Sequence, residues 1–586
     1  MDVFCPSSPL EEAPPLARPT AFETLVDLLR WRALYMHERL AFSFAVNADD
    51  AQRFSYLQLD QAARALAHAM QQRGLAAGRA VILLQPGADY IIALVGCWYA
   101  GITAVPVYAP RNNTSNQRVR LIVQDAQASV VISTASALEA FEPDDYQVQA
   151  PLSLVPIDQI PASGADLWTA PAIHGQTLAV LQYTSGSTGA PKGVRLQHRH
   201  LLKNSEMIRR AMGHDEHDIG VAWLPPYHDM GLIGSIVQPF YSGYPVHLLA
   251  PATFLQRPLR WLEMISSYRA TVSAAPNFAY DLCTRRVKPE QLARLDLSHW
   301  RLTANGAEPV RQQTLDAFQA CFAAAGLRPS AFQPCYGMAE TTLLVSAADP
   351  ARVYHQVAVD REQLKRGRLL RTEAAANTQT LISSGRADRD VTLRIVAPHT
   401  LTPLPEGEVG EIWLAGPMVA DGYWNNPQAT AETFHAHLPG DDRAWLRTGD
   451  LGALLDEELF VTGRIKDVII MAGHNHYPTD IEATVMQAHP AVRPDGVAAL
   501  ALDDGSQEHL ALVVELERGW RDLDLQGVRQ AIISHVSQHH QLRVDRLVLV
   551  PGNTLPKTSS GKIQRALTRE LLAKDMIQAL GTEPCP

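Results

Sequence analysis

The chain has 586 residues, 46% of them hydrophobic and 19% charged, a size and balance that fit several packed folding units and exclude a disordered or fibrous polymer. Its 51 Lys and Arg stand against 61 Asp and Glu, a formal charge of -10 with no long run of either sign. An extended nucleic-acid surface is therefore disfavoured. Six cysteines at 5, 97, 283, 321, 335 and 585 form no C-x-x-C pair and no zinc spacing with histidine. They read as free thiols in a reducing cytoplasm, not as a disulfide framework.

From the N-terminus, the Pro-rich stretch Pro6 to Pro19 predicts a flexible segment over about 1–20, with no secretory leader. Between Ser55 and Gly74 apolar residues recur at helical spacing, Ser55 placed to cap and Gly74 to stop, and a strand over Ala80 to Leu84 follows. The unit repeats as helix Tyr90 to Ala100, strand Ala104 to Tyr108, helix Gln117 to Ala126 and strand Val130 to Ser133. This alternation predicts parallel strands with crossover helices. Further strands are expected at Val221 to Leu224, Val246 to Leu249, Thr271 to Ala274 and Leu302 to Asn305. Tyr90 to Pro110 and Leu232 to Gln256 carry no charge, but Gly101 and several prolines break them, so no integral membrane segment is expected.

Beyond residue 380, short strands such as Val391 to Val396 and Glu411 to Leu414 alternate with Pro and Gly turns. They predict an antiparallel, barrel-like segment over about 380–463. From Asp467 on, an apolar run at Val468 to Met471, strands near Val497 to Leu502 and His509 to Glu515, and a helix from Leu525 predict a small α+β unit. In that helix Leu525, Val528, Ile532 and Val536 share one face, and Thr479 with Glu482 predicts a capping box for an earlier helix. The expected class is α/β: a large N-terminal region of parallel sheets over 21–465, then a smaller mobile domain over 466–586.

The strongest chemical signal is Tyr183-Thr-Ser-Gly-Ser-Thr-Gly-Ala-Pro-Lys-Gly193, directly after the apolar run Leu178 to Leu181. Glycines free backbone N–H groups to face an anion, hydroxyls donate, and Lys192 brings charge. It is not a Walker A loop, because Lys192 lies between Pro191 and Gly193.

This loop resembles the signature of the adenylate-forming superfamily, and further segments match in order. Asn305-Gly-Ala-Glu-Pro309 and Tyr336-Gly-Met-Ala-Glu-Thr341 resemble the two flanks of the adenine. Trp445-Leu-Arg-Thr-Gly-Asp450 resembles the ribose motif, Gly463 to Asp467 the interdomain hinge, and Pro556 to Ile563 the late lysine motif. The resemblance implies ATP and Mg2+ as cofactors. It implies that Thr184, Ser185, Gly186, Ser187, Thr188, Gly189 and Lys192 cradle phosphate, and that Asn305, Gly306, Ala307, Tyr336, Gly337 and Met338 flank the base. It further implies Asp450 and Arg464 on the ribose, Glu340 as the magnesium ligand, Thr341 on the α-phosphate, Lys562 as the catalytic cation and Lys466 as the hinge.

Within the superfamily the chain is most similar to the fatty acyl-AMP ligases, on the segments Leu224-Pro-Pro-Tyr-His-Asp-Met-Gly-Leu-Ile233, Pro276 to Cys283, Asn305 to Arg311 and Asn475 to Glu482. That implies a fatty acid as substrate and a separate phosphopantetheinylated acyl carrier protein as acceptor, since no Asp-Ser dipeptide offers a carrier serine. His228, Asp229, Gly231 and Asn277 are the acyl-site candidates. The stretch from Glu340 to Ser384 is long for an acyl-CoA synthetase, and about 343–381 looks like the insertion that restrains the small domain in these ligases. Tyr227-His228-Asp229 replaces the Phe-Asp of amino-acid-activating relatives, which disfavours an amino-acid substrate. Pro334 stands where many relatives place the asparagine that meets the adenine amino group, leaving that contact open. A fatty acyl-CoA synthetase is the alternative enzyme, a catalytically silent nucleotide-binding module the alternative of another class, and the oligomeric state is open.

Overall fold

A computed structural model describes residues 19–45, 50–109, 117–139, 141–142, 146, 152–184, 191–373, 377–471, 474–503, 508–558 and 561–580. The expected flexible segment before residue 19 lies outside them. The chain divides into two compact units, one of 1–182, 195–256 and 270–272, the other of 183–194, 257–269 and 273–586.

The predicted alternation becomes a sheet, most of it in the first unit, whose strands run in the order Ser153–Pro156, Val130–Ser133, Arg79–Ile82, Thr103–Pro106, Leu178–Thr184 and Lys192–Gln197. The links through the first five are parallel. Ser55 caps the helix Tyr56–Gln71 and closes a capping box with Gln58, as the spacing predicted with Ser55 as cap. The helix Ala88–Tyr99 buries every residue but Asp89 in its first turn, which explains the uncharged run that begins at Tyr90. At Gly96 the backbone comes so close to Leu66 that a Cβ would stand 2.6 Å from its methyl. Among the described residues no helix is long and apolar enough to cross a membrane. A second group of parallel strands, Gly220–Ala222, Val246–Leu248 and Leu40–Ala45, ends in the antiparallel edge Ala51–Ser55.

In the second unit Leu302–Asn305 pairs in parallel with Phe332–Gly337, whose other side takes Leu344–Ala347 antiparallel. The segment expected to be barrel-like is a five-stranded antiparallel sheet. Its long strand Asp441–Leu455 pairs with Gly410–Ala415, Ala436–Leu438 and Glu458–Arg464, each pairing with one register shift, without closure among the described strands. The expected insertion is a hairpin, Gln356–Asp360 against Thr378–Ile382, with the short helix Arg361–Lys365 at its tip. Val357, Val359, Leu364 and Leu369 bury against Leu451, Ala453, Phe460 and Tyr477.

The C-terminal part is α+β, as predicted. Val492–Asp503 and Glu508–Leu516 pair antiparallel, and Arg546–Pro551 adds in parallel. Val528, Ile532 and Val536 of the helix Leu525–His540 bury into their core, with Leu525 packed alongside. One expectation fails. The helix Pro478–Ala488 starts on Pro478 with Tyr477 as its N-cap, and no side-chain cap forms. Glu482 is drawn away from Thr479 by Arg565, which donates to its two carboxylate oxygens at 2.8 and 2.7 Å, a charge-assisted pairing stronger than a neutral cap.

Candidate active site

Three strands of the second unit bring the nucleotide residues together. Phe332–Gly337 carries Tyr336, Asp441–Leu455 carries Asp450, and Glu458–Arg464 ends on Arg464. Asp450 and Arg464 are register partners. The Arg464 guanidinium donates to Asp450 Oδ1 at 2.7 Å and the Tyr336 hydroxyl to Oδ2 at 2.8 Å. Each carboxylate oxygen keeps a second lone pair, so Asp450 is oriented and still able to accept from a diol. Burial raises the Tyr336 hydroxyl well above its ordinary range, and the neighbouring Asp450 charge pushes the same way. Tyr336 therefore stays a neutral donor at physiological pH.

The glycines at this corner serve close packing. A Cβ on Gly337 would stand 1.7 Å from the Leu343 carbonyl, and one on Gly306 2.8 Å from Cys335 Sγ. Met338 N donates to that same Leu343 carbonyl at 2.9 Å, and Ala307 takes the left-handed conformation, φ 68°. Asn305 is fully buried, yet neither polar atom of its amide has a hydrogen-bond partner among the described residues. An orphaned amide at such a turn is costly unless a ligand completes it.

Lys192 and Glu340 meet through a residue that the sequence reading missed. The Tyr423 hydroxyl donates to Glu340 Oε1 at 2.8 Å, and Lys192 Nζ lies 4.9 Å from the centre of the Tyr423 ring. The backbone fixes this geometry: Ala420 N donates to the Glu340 carbonyl at 2.9 Å and Trp424 N to that of Gly193 at 2.7 Å. The available signal was Gly422 before an aromatic pair; its φ of +125° is a conformation only glycine adopts readily. Thr341 is buried, and its hydroxyl donates to the Met338 carbonyl at 3.0 Å. Of the phosphate loop, Thr184 ends one strand and Lys192 begins the next, while Ser185, Gly186, Ser187, Thr188 and Gly189 lie outside the described residues.

The acyl candidates are divided between the two units. His228 and Asp229 pair at 2.7 Å at the start of a short helix. Gly231 is held against the Pro225 carbonyl, 2.0 Å from where a Cβ would be, and borders a small apolar pocket with Leu224, Ile236 and Leu248. Asn277 belongs to the second unit, where its amide accepts from Arg311 N and donates to Thr314 Oγ1, both at 3.1 Å. Lys466 lies in the turn after Arg464, whose carbonyl accepts from the N–H groups of Asp467 and Val468 at 3.1 Å each. The Lys562 backbone N–H donates to Thr558 Oγ1 at 3.1 Å within a hairpin closed by Lys557 and Ile563.

Residues 29–424 match the AMP-binding enzyme family, and residues 466–579 match the AMP domain described as Disco-interacting protein 2-like. The chain is 42% identical over 560 residues to the medium-chain-fatty-acid–[acyl-carrier-protein] ligase JamA of Moorena producens, covering 94% of this chain and 95% of that one. It is 36% identical to the long-chain-fatty-acid–AMP ligase FadD26 of Mycobacterium marinum, over 95% of this chain and 98% of that one. Among solved structures it resembles the fatty acyl-adenylate ligase of L. pneumophila in complex with acyl adenylate and pyrophosphate. There the TM-score is 0.75 at 37% identity, covering 95% and 97% of the two chains.

Proposed function

The chain belongs to the fatty acyl-AMP ligases of the adenylate-forming AMP-binding superfamily, and on that premise we propose that it joins a fatty acid to AMP and passes the acyl group to an acyl carrier protein. The fatty acid carboxylate attacks the α-phosphorus of ATP, pyrophosphate leaves, and the acyl-adenylate then yields its acyl group to the phosphopantetheine thiol of a separate carrier. Both reactants are anions, so the work of the site is to neutralise charge and align them.

The observation that carries this reading is the convergence of Lys192 and Glu340 on Tyr423, in the same unit as the Tyr336, Asp450 and Arg464 corner. Asp450 accepts from the ribose hydroxyls and Arg464 donates beside it. Tyr336 and the turn Asn305 to Ala307 flank the base, and the orphaned Asn305 amide supports a role toward the adenine amino group that Pro334 cannot serve. Lys192 neutralises phosphate charge.

Glu340 fits magnesium, because its Oε1 is held in place by the Tyr423 hydroxyl and a carboxylate is the hard oxygen donor that this ion takes together with phosphates. When bound there, the ion would offset charge on the phosphate oxygens. Lys562 acts as negative charge grows on the α-phosphate and carboxylate oxygens, and Lys466 is the hinge that brings it in. The enzyme works in the cytoplasm, where its thiols stay reduced.

Incubation with ATP, a fatty-acid series, and either coenzyme A or a phosphopantetheinylated carrier protein, with products resolved by mass, tests this reading. Acyl-adenylate plus acylated carrier is the expected result; efficient acyl-CoA formation by the intact protein would move it to the acyl-CoA synthetases.

A further inference from the structure

Four segments distant in sequence meet at one corner of the second unit. Glu308 directly follows the turn Asn305 to Ala307, and its Oε1 accepts from the backbone N of Phe278 at 2.7 Å. Phe278 is the second residue of the helix Asn277–Arg286, so Glu308 satisfies an N–H that a helix start leaves open. The other side of Phe278 faces the lysine hairpin: a Cβ on Gly561 would lie 3.5 Å from its ring. Arg311 pairs at 3.9 Å with Asp495, whose backbone carbonyl accepts from Lys557 Nζ at 2.7 Å. The hairpin that carries Lys562 is thereby seated on the corner formed by 277–278 and 308–311.

The charges at this corner are finely set. Burial is the main influence on Glu308 and pushes its carboxyl up to about 7; Asp495 acts in the same direction, and the Phe278 N–H, Lys562 and Arg311 oppose it.

We propose that Glu308 is the docking post for Lys562: a positioning residue that receives the lysine of the 556–563 segment beside the adenine turn and holds it poised for the reacting centre. The proposal rests on the role given to Lys562 above and extends it to a residue that touches no substrate. In the resting enzyme Lys562 faces the Glu308 carboxylate, and when ATP and the fatty acid are bound it exchanges that anion for the substrate oxygens. No bond forms or breaks in the exchange. Docking of a cation favours the ionised carboxylate, so docking strengthens as pH rises through the Glu308 value and weakens as pH falls below it.

Two measurements test this. The first is pyrophosphate release from about pH 6 to about pH 8.5 for wild type, Glu308→Gln and Glu308→Asp, each alone and with Lys562→Ala, alongside ATP affinity and Tm. Glu308→Gln is expected to lower kcat about tenfold, the scale of one lost charge-assisted contact, with little change in KM for ATP. It should flatten the acid limb of the profile and add nothing in the Lys562→Ala background, and Glu308→Asp should recover part of the rate. The second is amine-reactive labelling of Lys562 in the enzyme without substrate, which should be slow in wild type and faster in Glu308→Gln. Unchanged labelling, a wild-type acid limb in Glu308→Gln, or full additivity with Lys562→Ala would each overturn the docking role. Labelling that depends on Glu308 in an enzyme releasing no pyrophosphate would support docking and refute the functional reading alone.

Discussion

The ribose corner and the lysine corner lie in the same unit but are built in opposite ways. Asp450 sits in the middle of a sheet, with both oxygens engaged at 2.7 and 2.8 Å, one by Arg464 of the paired strand and the other by Tyr336 from a strand of another sheet. The lysine hairpin is held by a helix-end carboxylate, an ion pair at 3.9 Å and ring contact. A group that must bind before chemistry is set by backbone pairing, whereas one that must arrive and leave is held by a few contacts that a small free energy can break.

The sharpest way to break this contrast is Lys562→Ala. Losing one positioned charge that acts only as the transition state forms is expected to cut acyl-adenylate formation about 100-fold while leaving ATP binding largely intact. Adenylation at the wild-type rate would remove Lys562 from the mechanism. Asp450→Ala should do the reverse: nucleotide affinity falls by about 2 kcal/mol, because the ribose loses its acceptor and the Tyr336 hydroxyl and Arg464 lose theirs. Calorimetric titration with ATP checks this, and an unchanged affinity would count against the ribose role.

How far the sequence revealed these two corners follows from what each depends on. Tyr336, Asp450 and Arg464 were legible because each lies in a contiguous motif whose strand fixes it. Tyr423 was not, since its value comes from reaching Glu340 across 83 positions, and no local pattern encodes such a distance. Glu308 was visible as part of the adenine turn, but its partners come from the 278, 495 and 562 regions. The failed capping box has the same origin: Thr479 and Glu482 have the right spacing, yet Arg565 outcompetes the local bond. The repeating strand–helix alternation was readable because periodicity is local, whereas the pairing order of the strands over 380–463 was not, because pairing joins residues far apart in sequence.

Two further perturbations sharpen the contrast at the hinge and the insertion. Lys466→Pro removes backbone freedom in the turn between Arg464 and the strand Ile469–Met471, and it should slow one half-reaction about tenfold more than the other. Equal loss of both would indicate misfolding. The insertion offers a gentler test, because its tip helix contacts the 474–476 strand and its hairpin buries against Tyr477. Shortening it should raise acyl-CoA output a few-fold by weakening one arrangement relative to another while adenylation persists. No gain in acyl-CoA would separate the insertion from acceptor choice.

The smallest effect expected is a pH dependence at that same contact. His476 is buried in the 474–476 strand, its Nδ1 has no hydrogen-bond partner among the described residues, and Lys365 of the insertion lies close. Burial first, and Lys365 next, lower its value from 6.5 to about 4. The sign follows directly: between those values the unfolded chain binds a proton that the folded chain refuses, so stability falls as pH drops from 6.5 toward 4. His476→Gln cannot take up that proton, and near pH 5 it should be spared about 1 kcal/mol of the loss seen in the wild type. His540, lowered to about 3 by burial and then by Arg361 of the insertion, keeps part of the slope in the variant. Thermal unfolding at several pH values reads the difference, and equal slopes for the two proteins would show that His476 is not held neutral against the insertion.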